Sequence, residues 1–129
     1  PFEIGKVLFE FIRRIAVIYN AADIYVLPSV EDNLPNTIME AMACGVPCVG
    51  FRTGGIPEMI DHGKNGYVAD FRKADDLAAG MHRLLCGDDY EAMSRAAVSK
   101  VHTHYSQQSV AMRYIEVYNE TAAMKKYII

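Results

Sequence analysis

Apolar positions along the chain switch between two periods. Between residues 4 and 20, Val7, Leu8, Phe11, Ile15 and Ile18 recur at three- and four-residue steps, which predicts an amphipathic helix. "DIYVLPS" (23–29) is a short apolar run rich in β-formers, closed by Pro28 and Ser29, and predicts a buried strand. A second helical stretch begins near Leu34 or Pro35 and ends at Gly45, a residue suited to a helix C-terminus. "VPCVGF" (46–51) predicts another buried strand, broken by Thr53-Gly54-Gly55. "IPEMID" (56–61) carries Pro57 where a first helical turn accepts it. Asn65-Gly66 marks a turn before a third strand, "YVAD" (67–70), and helices are predicted at about 73–86, 90–105 and 107–127.

Short apolar strands alternating with helices predict an α/β fold: a three-layer, Rossmann-like parallel sheet with helices on both faces. Three strands are few, because doubly wound sheets carry about five or six. The expectation is therefore one partial domain: a leading helix at 1–21, an α/β core at 22–87 and C-terminal helices at 88–129. Pro1 in place of Met fits a fragment or a processed product. Open sheet edges make self-association a candidate interaction. Val98, Val101 and Tyr105, then Val110, Tyr114, Val117 and Tyr118, are too apolar for isolated tails and are expected to pack. Tyr19, Tyr105, Tyr114 and Tyr118 read as core or domain-interface residues.

Composition narrows the function classes. The chain has 129 residues, 51% hydrophobic and 22% charged, with a net charge of −3, so it has no electrostatic footprint for nucleic acid. No apolar run approaches the ~18 residues of a membrane span. The opening stretch is interrupted by Lys6, Glu10, Arg13 and Arg14 and has no small-residue cleavage site of a signal peptide. Cys44, Cys48 and Cys86 lack the spacing of a zinc site and read as buried thiols. His62, His82, His102 and His104 read as surface or packing residues. His102 and His104, two apart, would point in different directions on a helix.

The chemistry concentrates in "DNLPNTIMEAMACGVP" (32–47). A helix N-terminus following a strand exposes unpaired N–H groups and partial positive charge, a ready site for phosphate. At about 100° per residue, Ile38, Ala41 and Met42 share the core side, whereas Asn36, Glu40 and Ala43 share the opposite one. A carboxylate on that polar face, about two turns in from Asp32, can accept hydrogen bonds from the two hydroxyls of a ribose. Phosphate at the helix mouth with ribose beside Glu40 would describe a nucleoside diphosphate. On the residues alone a second reading stands beside it: Asp32 or Asn33 caps the helix, and Glu40 is solvated surface. Gly54 and Gly55 permit close backbone approach, to a ligand or to a packed element.

The stretch from Ala22 to Ala69 resembles the C-terminal donor-binding domain of the family 4 (group 1) retaining glycosyltransferases. The residues that carry the likeness are Ala22-Asp23, Pro28-Ser29, Glu40-Ala41-Met42-Ala43, Gly45, Pro47, Gly54-Gly55 and Glu58, in the family's order. "HYSQQSVAMRYIEVY" (104–118) resembles the family's terminal helices. The likeness implies the C-terminal half of a GT-B fold and retaining transfer from a nucleotide-sugar donor to a glycan or lipid-linked acceptor. It implies no cofactor and no obligatory metal, and the chain contains no Asp-x-Asp.

The family's paired acids stand eight residues apart. Counting back from Glu40 reaches Asp32, with Glu31 one place out of register, and Asn33-Leu34-Pro35 replaces the usual glycine–aromatic–glycine turn. By resemblance Asp32 is the catalytic-site acid facing the donor sugar. Asn33, Leu34, Pro35 and Asn36 would lie against diphosphate and sugar, and Glu40 would hold the ribose. The family's diphosphate Arg and Lys, and its acceptor domain, lie upstream of this region, so the chain alone is expected to be inactive. Polysaccharide or glycolipid synthesis in the cytoplasm, peripheral at the inner membrane face, is the setting implied. The competing classes are a non-catalytic nucleotide-binding module and a self-associating structural fragment.

Overall fold

A computed structural model describes residues 2–125 of the chain. Its elements are α1 (Phe2–Asn20), β1 (Tyr25–Leu27), α2 (Asn36–Ala43), β2 (Cys48–Phe51), α3 (Ile56–Met59), β3 (Gly66–Ala69), α4 (Ala74–Cys86), α5 (Tyr90–His104) and α6 (Gln107–Lys125). The strands form one three-stranded sheet in the order β1-β2-β3. Both pairings are parallel, with Val26 opposite Val49 and Val49 opposite Tyr67. The expected α/β architecture is therefore present, with β1, β2, α2 and α3 shorter than the sequence suggested. The last predicted positions of the final helix, 126 and 127, lie outside the described residues.

Strand alternation divides the core between two faces. Tyr25, Leu27, Cys48 and Val68 point to one side, where Ile38, Ala41 and Met42 of α2, Ile56 and Met59 of α3, and Ala97 of α5 cover them. Val26, Val49 and Tyr67 point to the other, against Leu77, Met81 and Leu84 of α4 and Met93 of α5. Burying both faces is what makes each strand a continuous apolar run. Gly45, at φ +78°, terminates α2 and donates its N–H to the Met42 carbonyl at 3.0 Å. Asn65 is buried between α3 and β3: its Oδ1 accepts the Asp61 N–H at 2.9 Å and its Nδ2 donates to the Met59 carbonyl at 3.4 Å.

Three expectations are revised. The stripe on α1 does not face the core: Phe11 and Ile18 are exposed, while Ile15, Ala16 and Tyr19 contribute the half-buried side. Val7 and Leu8 have side chains outside the described residues. On α6, Tyr114 and Tyr118 are 61% and 68% exposed, so they are not core residues of this chain. Apolar residues at 110, 112, 114, 115, 117 and 118 spread around that helix rather than lining one face, and the described side chains of α6 beyond Val110 are exposed. Among the thiols only Cys48 is buried, with Cys44 intermediate and Cys86 exposed.

Candidate functional site

The chain leaves β1 at its C-terminal end, crosses the loop 28–35 and enters α2. Open parallel sheets take ligands in this crevice, outside the carboxyl ends of the strands. A neighbouring turn holds the loop in place. Thr53 Oγ1 donates to the Val30 carbonyl at 3.2 Å, and the Gly55 N–H donates to the Asp32 carbonyl at 3.2 Å. Gly54 has φ +50°, and a Cβ there would run into the Asp32 carbonyl; a Cβ on Gly55 would run into that of Asn33. These glycines therefore permit a backbone-to-backbone contact between two loops, one of which forms the mouth of α2.

Pro35 occupies the N-cap position at φ −68°, ψ 113°, and no side chain caps the helix. The reading in which Asp32 or Asn33 caps α2 is thus excluded. Proline has no N–H to offer, and the Ile38 N–H is bonded to the Pro35 carbonyl at 3.1 Å. The N–H groups of Asn36 and Thr37, in the first turn, are those that a helix start directs outward. Pro35 is buried beneath the mouth, Asp32 is half-buried in the loop, and Asn33, Leu34 and Asn36 are exposed around it. The turn at 33–36 is thereby brought to one place, with Asp32 at its edge.

The core side of α2 is as expected: Ile38, Ala41 and Met42 are 0% exposed. Asn36, Glu40 and Ala43 are all exposed. Because the helix starts at Asn36, Glu40 is one turn in, about 6 Å along the axis at ~1.5 Å per residue, rather than two. Its carboxylate does not stand alone in solvent. Tyr19, near the end of α1, donates its hydroxyl to Glu40 Oε2 at 3.1 Å. The two line a cleft of about 330 Å³ between α1 and α2 with Ile12, Ile15, Ala16, Ala43 and Cys44. Burial, and then the hydrogen bond to Glu40, push the Tyr19 hydroxyl up to about 12, so it keeps its proton. Burial and then Glu40 also push the Cys44 thiol up.

A second groove, about 450 Å³, runs from Leu34 past Glu58 to Tyr105, Val110, Arg113, Tyr114 and Val117. It reaches the loop but not Glu40. At the end of β2, Arg52 lies 3.8 Å from Asp70, with both side chains largely exposed. Among the described residues no three His, Cys, Asp or Glu side chains gather as a metal-binding group. Also among these residues, no helix is long and apolar enough to cross a membrane. The Tyr19–Glu40 contact is the feature that residue patterns missed, since a separation of 21 positions across two helices leaves no periodic trace.

Comparison with known proteins bears on the family and the fold. The family model described as glycosyl transferases group 1 matches residues 4–87. The N-acetyl-alpha-D-glucosaminyl L-malate synthase of Bacillus anthracis is 31% identical over 106 residues, which is 81% of this chain and 28% of that protein. The chain therefore spans little more than a quarter of that curated relative. Sucrose-phosphate synthase from Thermosynechococcus elongatus superposes with a TM-score of 0.76 at 24% identity, covering 86% of this chain and 28% of that one. Anabaena HepE, solved in complex with UDP, superposes with a TM-score of 0.71 at 19% identity, covering 80% and 29%. At such identities the superpositions speak for the fold, part of a GT-B architecture. With the motif order, the sheet and a family match over most of its length in agreement, the chain belongs to the glycosyl transferases group 1.

Proposed function

We propose that this chain forms the donor side of a retaining, nucleotide-sugar-dependent glycosyltransferase. The diphosphate lies over the mouth of α2, against the backbone of 33–36 and the outward N–H groups of Asn36 and Thr37. The ribose hydroxyls bond to Glu40, and Asp32 faces the donor sugar. The observation that supports this most is an uncapped helix start with an exposed carboxylate one turn inside it, bordered by a cleft. That the related HepE fold is known with UDP supports the same ligand class.

As the glycosidic bond breaks, negative charge grows on the departing diphosphate. Donors already oriented toward that position stabilise it without reorganising, which is where such a site lowers the barrier. The helix start adds its partial positive charge to the same end. An acceptor hydroxyl, from a glycan or a lipid-linked sugar, takes the sugar with retention at the anomeric carbon. Acceptor binding and the diphosphate cations belong to other parts of a complete enzyme, so residues 1–129 by themselves transfer no sugar.

Calorimetric titration with UDP, GDP and ADP tests the binding half of this reading. Saturable binding of at least one is expected, and failure of all three would remove the nucleotide. Turnover by the isolated chain with a panel of nucleotide sugars and acceptors would refute the division of labour.

A further inference from the structure

We propose that Tyr19 is a positioning residue for the nucleotide site: its hydroxyl fixes the Glu40 carboxylate in the orientation that receives the ribose hydroxyls. The inference rests on the ribose reading of Glu40 given above. Glu40 projects from the exposed face of α2, and an unheld glutamate side chain there would sample several rotamers. A ligand would then have to order it on binding, at a cost in affinity. The Tyr19 hydroxyl supplies that order in advance, at 3.1 Å from Oε2.

The tyrosine is itself held. Its ring meets Tyr25 of β1 edge-on, with centroids 5.8 Å apart and planes at 74°. Tyr25 belongs to the sheet and packs against the main core. A rigid path therefore runs from β1 through two aromatic rings to the carboxylate. An ionised carboxylate offers about four acceptor positions on its two oxygens, so one bond from Tyr19 leaves room for both hydroxyls of a diol. Because burial and the carboxylate keep the phenol protonated to about 12, Tyr19 remains a donor throughout the range in which an enzyme works.

A tyrosine that merely tethered α1 to α2 would leave ligand discrimination untouched, and this separates the alternatives. In the intact protein, the nucleoside diphosphate that binds is titrated calorimetrically beside its 2′-deoxy and 3′-deoxy counterparts, for wild type, Tyr19→Phe, Glu40→Ala and the double variant. Phenylalanine retains the ring and its contact with Tyr25. Tyr19→Phe should weaken the ribonucleotide roughly five-fold while leaving the deoxynucleotides within two-fold, the scale of one hydrogen bond. The double variant should bind no more weakly than Glu40→Ala. If Glu40→Ala abolishes the preference for ribose but Tyr19→Phe keeps the wild-type preference, the positioning role is wrong and the ribose reading survives. Equal losses for ribo- and deoxynucleotides in Tyr19→Phe also overturn it, in favour of simple packing. Should Glu40→Ala retain the wild-type preference, both fall together.

Discussion

Gly54 lies so close beneath Asp32 that a single added methyl would collide with the Asp32 carbonyl oxygen. The turn at 53–55 and the loop that enters α2 are thus one packed unit, although Gly54 and Asp32 are 22 positions apart. Gly54→Ala should lower stability by about 2 kcal/mol, combining a strained left-handed backbone with the clash. Urea denaturation measures the loss, and calorimetry on the variant should show weakened nucleotide binding as well. A variant with wild-type stability would mean that the loops separate freely.

Glu40→Ala should do the reverse. The side chain is exposed and its one hydroxyl partner is a neighbour's, so stability should change by less than about 0.5 kcal/mol. Nucleoside diphosphate affinity should fall by ~1–3 kcal/mol through lost ribose bonds. Unchanged affinity would take Glu40 out of the site.

Met42→Ala provides the contrast on the same helix. Met42 is fully buried against the sheet, so its loss should cost about 3 kcal/mol in urea denaturation, from transfer and cavity terms together. Where the variant remains folded, its nucleotide affinity should follow the wild type, since the residue faces away from the exposed edge of α2.

Acid stability should depend on Asp76. The Asp70 N–H donates to its Oδ2 at 2.6 Å and the Tyr67 hydroxyl to its Oδ1 at 2.7 Å; these bonds hold its carboxyl below the usual aspartate range. A depressed carboxyl contributes stability that is present above the unfolded-state value and is lost as pH falls through the folded one. Wild type should therefore lose more stability than Asp76→Asn between pH 5 and the acid limb below the ordinary aspartate value near ~3.9. Parallel urea melts across that window check the sign. Equal losses would assign the acid sensitivity elsewhere.

The proposed diphosphate cradle consists of backbone N–H groups rather than carboxylates that would recruit a cation. Nucleoside diphosphate affinity should accordingly change less than two-fold on chelation with EDTA. A loss of binding restored by Mg²⁺ would contradict that cradle.

Much of this was legible in the residues because α2 is so sharply two-sided. Ile38, Ala41 and Met42 against Asn36, Glu40 and Ala43 fixed its orientation, and the apolar runs at 23–29 and 46–51 located the sheet edge beside it. Helix starts were less readable: Pro35 fits either the cap or the first turn, and only the backbone angles place it at the cap, which starts α2 at Asn36. Tyrosine spacing on α6 records apolar character without recording burial, so the core alternative for Tyr114 and Tyr118 does not hold. Gly54 and Gly55 signalled a close backbone approach but not its partner, the Asp32 loop, and the Tyr19–Glu40 bond joins positions distant in sequence and leaves no local signature.

A crystal structure of the intact protein with its nucleoside diphosphate tests the central claim most directly. Phosphate oxygens within about 3 Å of the Asn36 or Thr37 N–H groups, and ribose hydroxyls on Glu40, are the predicted result. Nucleotide density elsewhere, with Glu40 still bonded to Tyr19 alone, would contradict it.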